Sequence, residues 1–173
     1  MYSISFRGLE EGKHQFEYKI DNTFFEVYQY EDILGADIQV HLEFIKKSTL
    51  LELSFAIEGI VKVVCDISNE IYEQPIEGNL DLKVKFGNEY NDENENILIV
   101  PHEAYEIEIS QFIYEIIVLA LPTKRIHPGV LNGTLKSDIL DKLEELQGND
   151  EKQNNTIDPR WEKLKGLLTD KKS

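Results

Sequence analysis

The chain has 173 residues, 41% of them hydrophobic, and 18 Lys and Arg against 33 Asp and Glu give a formal net charge of −15. That length carries a domain with a proper core plus an appended element. No apolar run reaches the roughly 18 residues of a membrane span, the one cysteine excludes an internal disulfide, and the acidity opposes indiscriminate binding to phosphate backbones. The opening MYSISFRGLEEGK lacks the apolar core of a secretory signal, so cytoplasmic residence is expected.

In chain order, YSISF and HQFEYKI read as strands on either side of a loop at RGLEEGK. In DNTFFEVYQY, Asp21 can serve as N-cap, and Phe24, Phe25 and Tyr28 have helical spacing. A short helix is predicted there, although FFEVYQY also reads as a strand. DIQVHLEFIK alternates Ile38, Val40, Leu42 and Phe44 with polar residues, the period of a half-buried strand. KKST offers a turn, and LLELSFAIEG follows with Leu51, Leu53, Phe55 and Ile57 on one face. Gly59 marks a candidate bulge before a further strand, IVKVVCD. NLDLKVKFG alternates through Leu80, Leu82, Val84 and Phe86. The short connections leave no room for crossover helices and predict an antiparallel sheet. GNEYNDENENI reads as an exposed acidic loop, and Ile97–Val100 and Glu106–Ile109 as further short strands.

The period then changes. SQFIYEIIVLALP has Ser110 as a cap and places Phe112, Ile113, Ile116, Ile117 and Ala120 on one helical face, with Pro122 as the stop. Val118, Leu119 and Leu121 add apolar residues elsewhere, so a long helix, largely buried against the sheet, is expected. A second helix is predicted from about Leu135 to Gln147, with Leu135, Ile139, Leu143 and Leu146 in register and Gly148 ending it. In DPRWEKLKGLL, Asp158 can cap, Pro159 suits the first helical position, and Trp161, Leu164, Leu167 and Leu168 form an apolar stripe. Such a helix is marginal alone in water and needs a surface, its own body or a partner. The whole reads as an α+β fold. A mainly antiparallel sheet, open or curled into a partial barrel, is covered by a long apolar helix, with further helices C-terminal. The divisions are a core domain at 1–147, a polar linker at 148–157 and an amphipathic helix at 158–173.

Charge is unevenly spread. Residues 158–173 carry a net +2, which leaves −17 for residues 1–157. No phosphate-binding, dinucleotide or serine-hydrolase glycine motif occurs, and His14, His41, His102 and His127 are widely separated. Cys65 ends an apolar strand with no base beside it in sequence, so it reads as a core residue. NDENEN lacks the glycine and closing glutamate of a calcium loop. No catalytic residue, metal or cofactor is therefore expected, and the chain reads as a non-enzyme. Lys124, Arg125 and His127 form the one local basic cluster of the body, either a plain surface loop or a contact for phosphate or carboxylate. Asp158, Arg160, Trp161, Lys163 and Leu164 are candidate partner-binding residues of the tail.

Four segments carry a resemblance: GLEEGKHQFEYKIDNTFF; VVCDISNEIYEQPIEG with the later VKFG; ISQFIYEIIVLALPTKRIHP; and DPRWEKLKGLL. In this order they resemble the YceD (DUF177) family, in a form similar to those of the Bacteroidetes. Members of that family promote accumulation of large-subunit ribosomal RNA. Many members have a C-x-x-C at the strand end and further cysteines later; here Cys65 is followed three residues on by Ser68, and no later cysteine exists. One thiolate cannot hold a structural zinc. The resemblance implies a non-enzymatic ribosome-biogenesis factor. The acidic body favours as partner a basic ribosomal or RNA-processing protein, or the immature large subunit, and direct nucleic-acid contact conflicts with that charge unless it is confined to Lys124, Arg125 and the tail. The alternative is a carrier of a small lipid-like molecule in a hydrophobic cavity under the helix.

Overall fold

The computed structural model describes residues 2–94 and 96–147. The chain forms two compact units, residues 1–125 and 126–173. The linker and amphipathic helix expected at 148–157 and 158–173 lie outside the described residues, as does Gly148.

The first unit is built on a two-stranded sheet pairing β1 (Ser3–Ser5) with β8 (Glu106–Glu108) and on a six-stranded sheet whose order is β2 (Gly12–Ile20), β3 (Gly35–Lys46), β4 (Leu50–Val64), β5 (Ile71–Gly87), β7 (Ile97–Pro101) and β6 (Asn91–Asn94). The larger sheet begins as an antiparallel meander of β2, β3, β4 and β5. Alternation separates the two faces as expected. Ile38, Val40, Leu42 and Phe44 of β3 and Leu51, Leu53, Phe55 and Ile57 of β4 are buried, while most of the residues between them face solvent. Burying one face sets the register, since a slip of one residue would turn every one of these side chains outward.

Four expectations for the sheet need correction. The acidic segment at 91–94 is strand β6 (Asn91–Asn94), antiparallel to β7 (Ile97–Pro101), and not a loop. β7 runs parallel to β5, so the sheet is mixed, and among the described residues it stays open, with no barrel closure. Gly59 makes no bulge; β4 pairs without interruption on both sides of it. Glycine is required instead because the β3 backbone passes so near that an added Cβ would strike the Asp37 carbonyl and stand 2.6 Å from Ile38 Cα. The strand expected from Asn79 onward begins earlier, at Ile71, and runs straight through Pro75.

The helix expected to be long is short: α2 (Ser110–Ala120) has eleven residues. Its N-cap is Ile109, and Ser110 is the first helical residue, its hydroxyl donating to Glu108 Oε1 at 2.8 Å. Ile113, Ile116 and Ile117 are buried where α2 lies over β5 and β4. The crossing is close enough that a Cβ on Gly78 would stand 2.9 Å from Ile116 Cγ2. Leu119 is 84% exposed, so the helix is buried on one face only. The short helix expected after Asp21 is present as α1 (Asn22–Val27), with Phe24 and Phe25 buried.

The second unit contains α3 (Pro128–Leu131), a turn of helix that sequence reasoning missed, and α4 (Asp138–Gln147). α4 starts later than Leu135 because Ser137 caps it, its Oγ accepting the Ile139 N–H at 3.3 Å. Ile139, Leu143 and Leu146, the expected apolar stripe, are exposed.

Candidate functional site

Of the basic cluster, Lys124 and Arg125 end the first unit and His127 belongs to the second. Lys124 is exposed. Arg125 is tied down within its own unit. Its Nη1 lies 3.3 Å from Asp32 and its Nε 3.5 Å from Asp66. Its backbone N–H donates to Asp66 Oδ2 at 2.8 Å, and its carbonyl accepts the Asp66 N–H at 2.8 Å. Asp66 sits in the turn joining β4 to β5, so this double exchange clamps the chain leaving α2 onto that turn. His127 accepts the Gly129 N–H on Nδ1 at 2.8 Å and thereby caps α3. The candidates Asp158, Arg160, Trp161, Lys163 and Leu164 fall outside the described residues.

Tyrosines surround the Arg125 clamp. Tyr28 stacks on Tyr114 with ring centroids 4.2 Å apart, and Tyr30 meets Tyr114 edge-on. Burial, with the Asp32 charge second, holds the Tyr30 phenol above its ordinary value. Burial does the same for Tyr72, followed by the charges of Cys65 and Asp66. Cys65 is buried, and the Ser68 N–H points at its Sγ from 3.4 Å. Asn69 completes the turn at φ 59°, and its N–H donates to the Cys65 carbonyl. Among the described residues no three His, Cys, Asp or Glu side chains gather as a metal site.

The solvent face of the meander holds most of the charged pairs. Lys13 pairs with Glu43 at 2.6 Å, Lys19 with Asp37 at 3.0 Å, Lys47 with Glu52 at 2.7 Å, and Lys62 reaches Glu73 at 3.9 Å. Glu58 of β4 stands directly opposite Glu77 of β5, a like-charge pair that costs rather than stabilises. A furrow of about 460 Å³ on this face is lined by Gln15, Glu17, His41, Glu43, Asn79 and Asp81 together with Phe16, Leu42 and Phe55, a mixed polar and apolar surface. A second groove, about 310 Å³, runs between β5 and α2 and is lined by Gly78, Leu80, Ile116, Leu119 and Ala120 together with Glu77, Asn79 and Glu115.

Sequence reasoning missed Asp32, Asp66, Leu119 and the outer row of β5. Asp66 follows Cys65 directly and is legible as an acid after a strand, but its partner is 59 positions away. No helix among the described residues is long and apolar enough to cross a membrane.

No curated protein and no solved structure matches the chain. The sequence profile of the YceD family, described as Large ribosomal RNA subunit accumulation protein YceD, matches residues 53–168. The match spans most of β4, all of β5 and α2, and the segment beyond them, well over half of the chain. The chain therefore belongs to the YceD family, whose description links it to accumulation of the large ribosomal RNA subunit.

Proposed function

We propose that this protein acts in large-subunit assembly as a cytoplasmic, non-enzymatic adaptor. It holds a basic ribosomal or RNA-processing protein, alone or on the immature large subunit, through protein–protein contacts. The observation that carries this reading is the disposition of charge. Residues 1–157 bear −17, and Lys13, Lys19, Lys47 and Lys62 each pair with an acid other than Glu58, Glu77 and Asp81, so these three have no ion-pair partner among the described residues. Such a face repels phosphate and raises the encounter rate with a basic protein. The +2 segment at 158–173 supplies a second contact through Arg160, Trp161, Lys163 and Leu164.

Gradient sedimentation of a lysate at low salt tests this, with each fraction probed for the protein and for precursor large-subunit RNA. Comigration with immature large subunits, weakened by deleting residues 158–173, is expected. A protein that stays at the top of the gradient, in cells whose precursor RNA is normal without it, would sink the proposal.

A further inference from the structure

The outer edge of β5 is open over one short stretch. Lys83 donates its N–H to the Asn96 carbonyl at 2.9 Å, and the Gly87 carbonyl accepts the His102 N–H at 3.2 Å. Backbone groups of odd-numbered β5 residues thus point away from β4, and the unbroken register from Ile71 to Lys85 carries that direction back along the strand. β7 occupies this side only from Lys83 onward. Pro75 has no N–H to offer, and its carbonyl is taken by Gln74 Nε2 at 2.9 Å, which blunts the edge there. Between these two ends, Glu77, Asn79 and Asp81 are exposed and have a strand neighbour on one side only, among the described residues. The groove against α2 runs beside this same stretch, with Leu80, Ile116 and the solvent-facing Leu119 along it.

We propose that this edge is a strand-addition site for an extended segment of a basic partner, alternating apolar and basic residues. Backbone groups of the incoming segment pair with those of Glu77, Asn79 and Asp81. Alternate side chains then fall on opposite faces of the sheet. Those on the α2 side enter the groove beside Leu80, Ile116 and Leu119; those on the solvent face meet Glu77 and Asp81, which no lysine among the described residues neutralises. Charge complementarity selects a basic segment over an acidic one, and the apolar groove selects alternation over a plain polybasic run. The inference rests on the adaptor reading and names the surface that reading requires.

The test uses the full chain and a capped seven-residue peptide alternating valine and lysine, with a valine–glutamate peptide as control. Amide hydrogen exchange and titration by nuclear magnetic resonance are the readouts. The valine–lysine peptide is expected to slow exchange at Glu77, Asn79 and Asp81, with the control inert. Asn79→Pro removes one outward N–H and leaves the ladder to β4 untouched, as Pro75 already does; it should weaken binding about tenfold, a loss of one hydrogen-bonded register position. Asn79→Ala should bind as the parent does, and Leu119→Asp should bind more weakly while unfolding at the same urea concentration. Protection elsewhere, equal binding by Asn79→Pro, or equal binding of the control overturns the proposal. A concentration-dependent dimer lost in Asn79→Pro would assign the edge to a second copy and overturn it too. Sedimentation with immature subunits is read separately: its failure removes the adaptor reading, and peptide protection at the edge is judged on its own result.

Discussion

Arg125 is three-quarters shielded and joins two acids from different loops, so its guanidinium contributes to the stability of the fold. Both acids are more than a third exposed, and water weakens each pair. Arg125→Ala should lower stability by about 1 kcal/mol in urea unfolding, and Lys124→Ala should change nothing measurable. Asp66→Ala removes the acceptor of a backbone N–H as well, so it should cost more, about 1–3 kcal/mol. At Asp21 the effect is one of pH. The Thr23 hydroxyl and N–H, bonded to its Oδ1 at 2.6 and 3.0 Å, hold the carboxyl below its ordinary 3.8. A lowered folded value means stability that is present above pH 3.8 and lost as pH falls through the folded value. Asp21→Asn keeps the capping geometry without the titration. The stability difference between parent and variant should therefore be constant near neutrality and shrink below pH 3.8.

Elements differ in how far they are committed to the core. α2 contributes Ile113 and Ile117, both fully buried, while Leu119 stands in solvent two residues beyond Ile117. Ile113→Ala should cost about 2–5 kcal/mol, and Leu119→Ala close to nothing; chemical denaturation of the two variants checks the contrast. Strand identity was legible wherever alternation was clean, in β3 and in the second half of β5, whereas the single strand β4 read as two strands parted at Gly59. Identity was illegible at 71–78, where Pro75 and Gly78 break the pattern: a proline whose N points off a free edge loses no ladder bond, and a glycine under α2 makes room for Ile116. The parallel pairing of β7 on β5 was beyond reach as well. A five-residue apolar run carries no mark of its direction.

For the whole molecule, the adaptor proposal makes a prediction about salt. If an acidic body holds a basic partner, raising salt from low to physiological should release the protein from immature subunits, since exposed charges are screened beyond about 8 Å at 0.15 M. A complex unchanged by salt would point to apolar contacts instead. The candidate site was legible in part. Lys124, Arg125 and His127 were visible as a cluster, yet chain proximity says nothing about partners, and the fold gives Arg125 to Asp66 and Asp32 and His127 to the cap of α3.

By itself the sequence determined the α+β class, the alternating strands with their buried face and the family, because periodicity and motif order are local properties of a chain. The tertiary structure alone decided which long-range partners meet: the clamp of Arg125 on Asp66, the need for glycine at residue 59, and the open edge of β5 beside α2. Each depends on a backbone brought close from a distant part of the chain, and no local pattern encodes that approach.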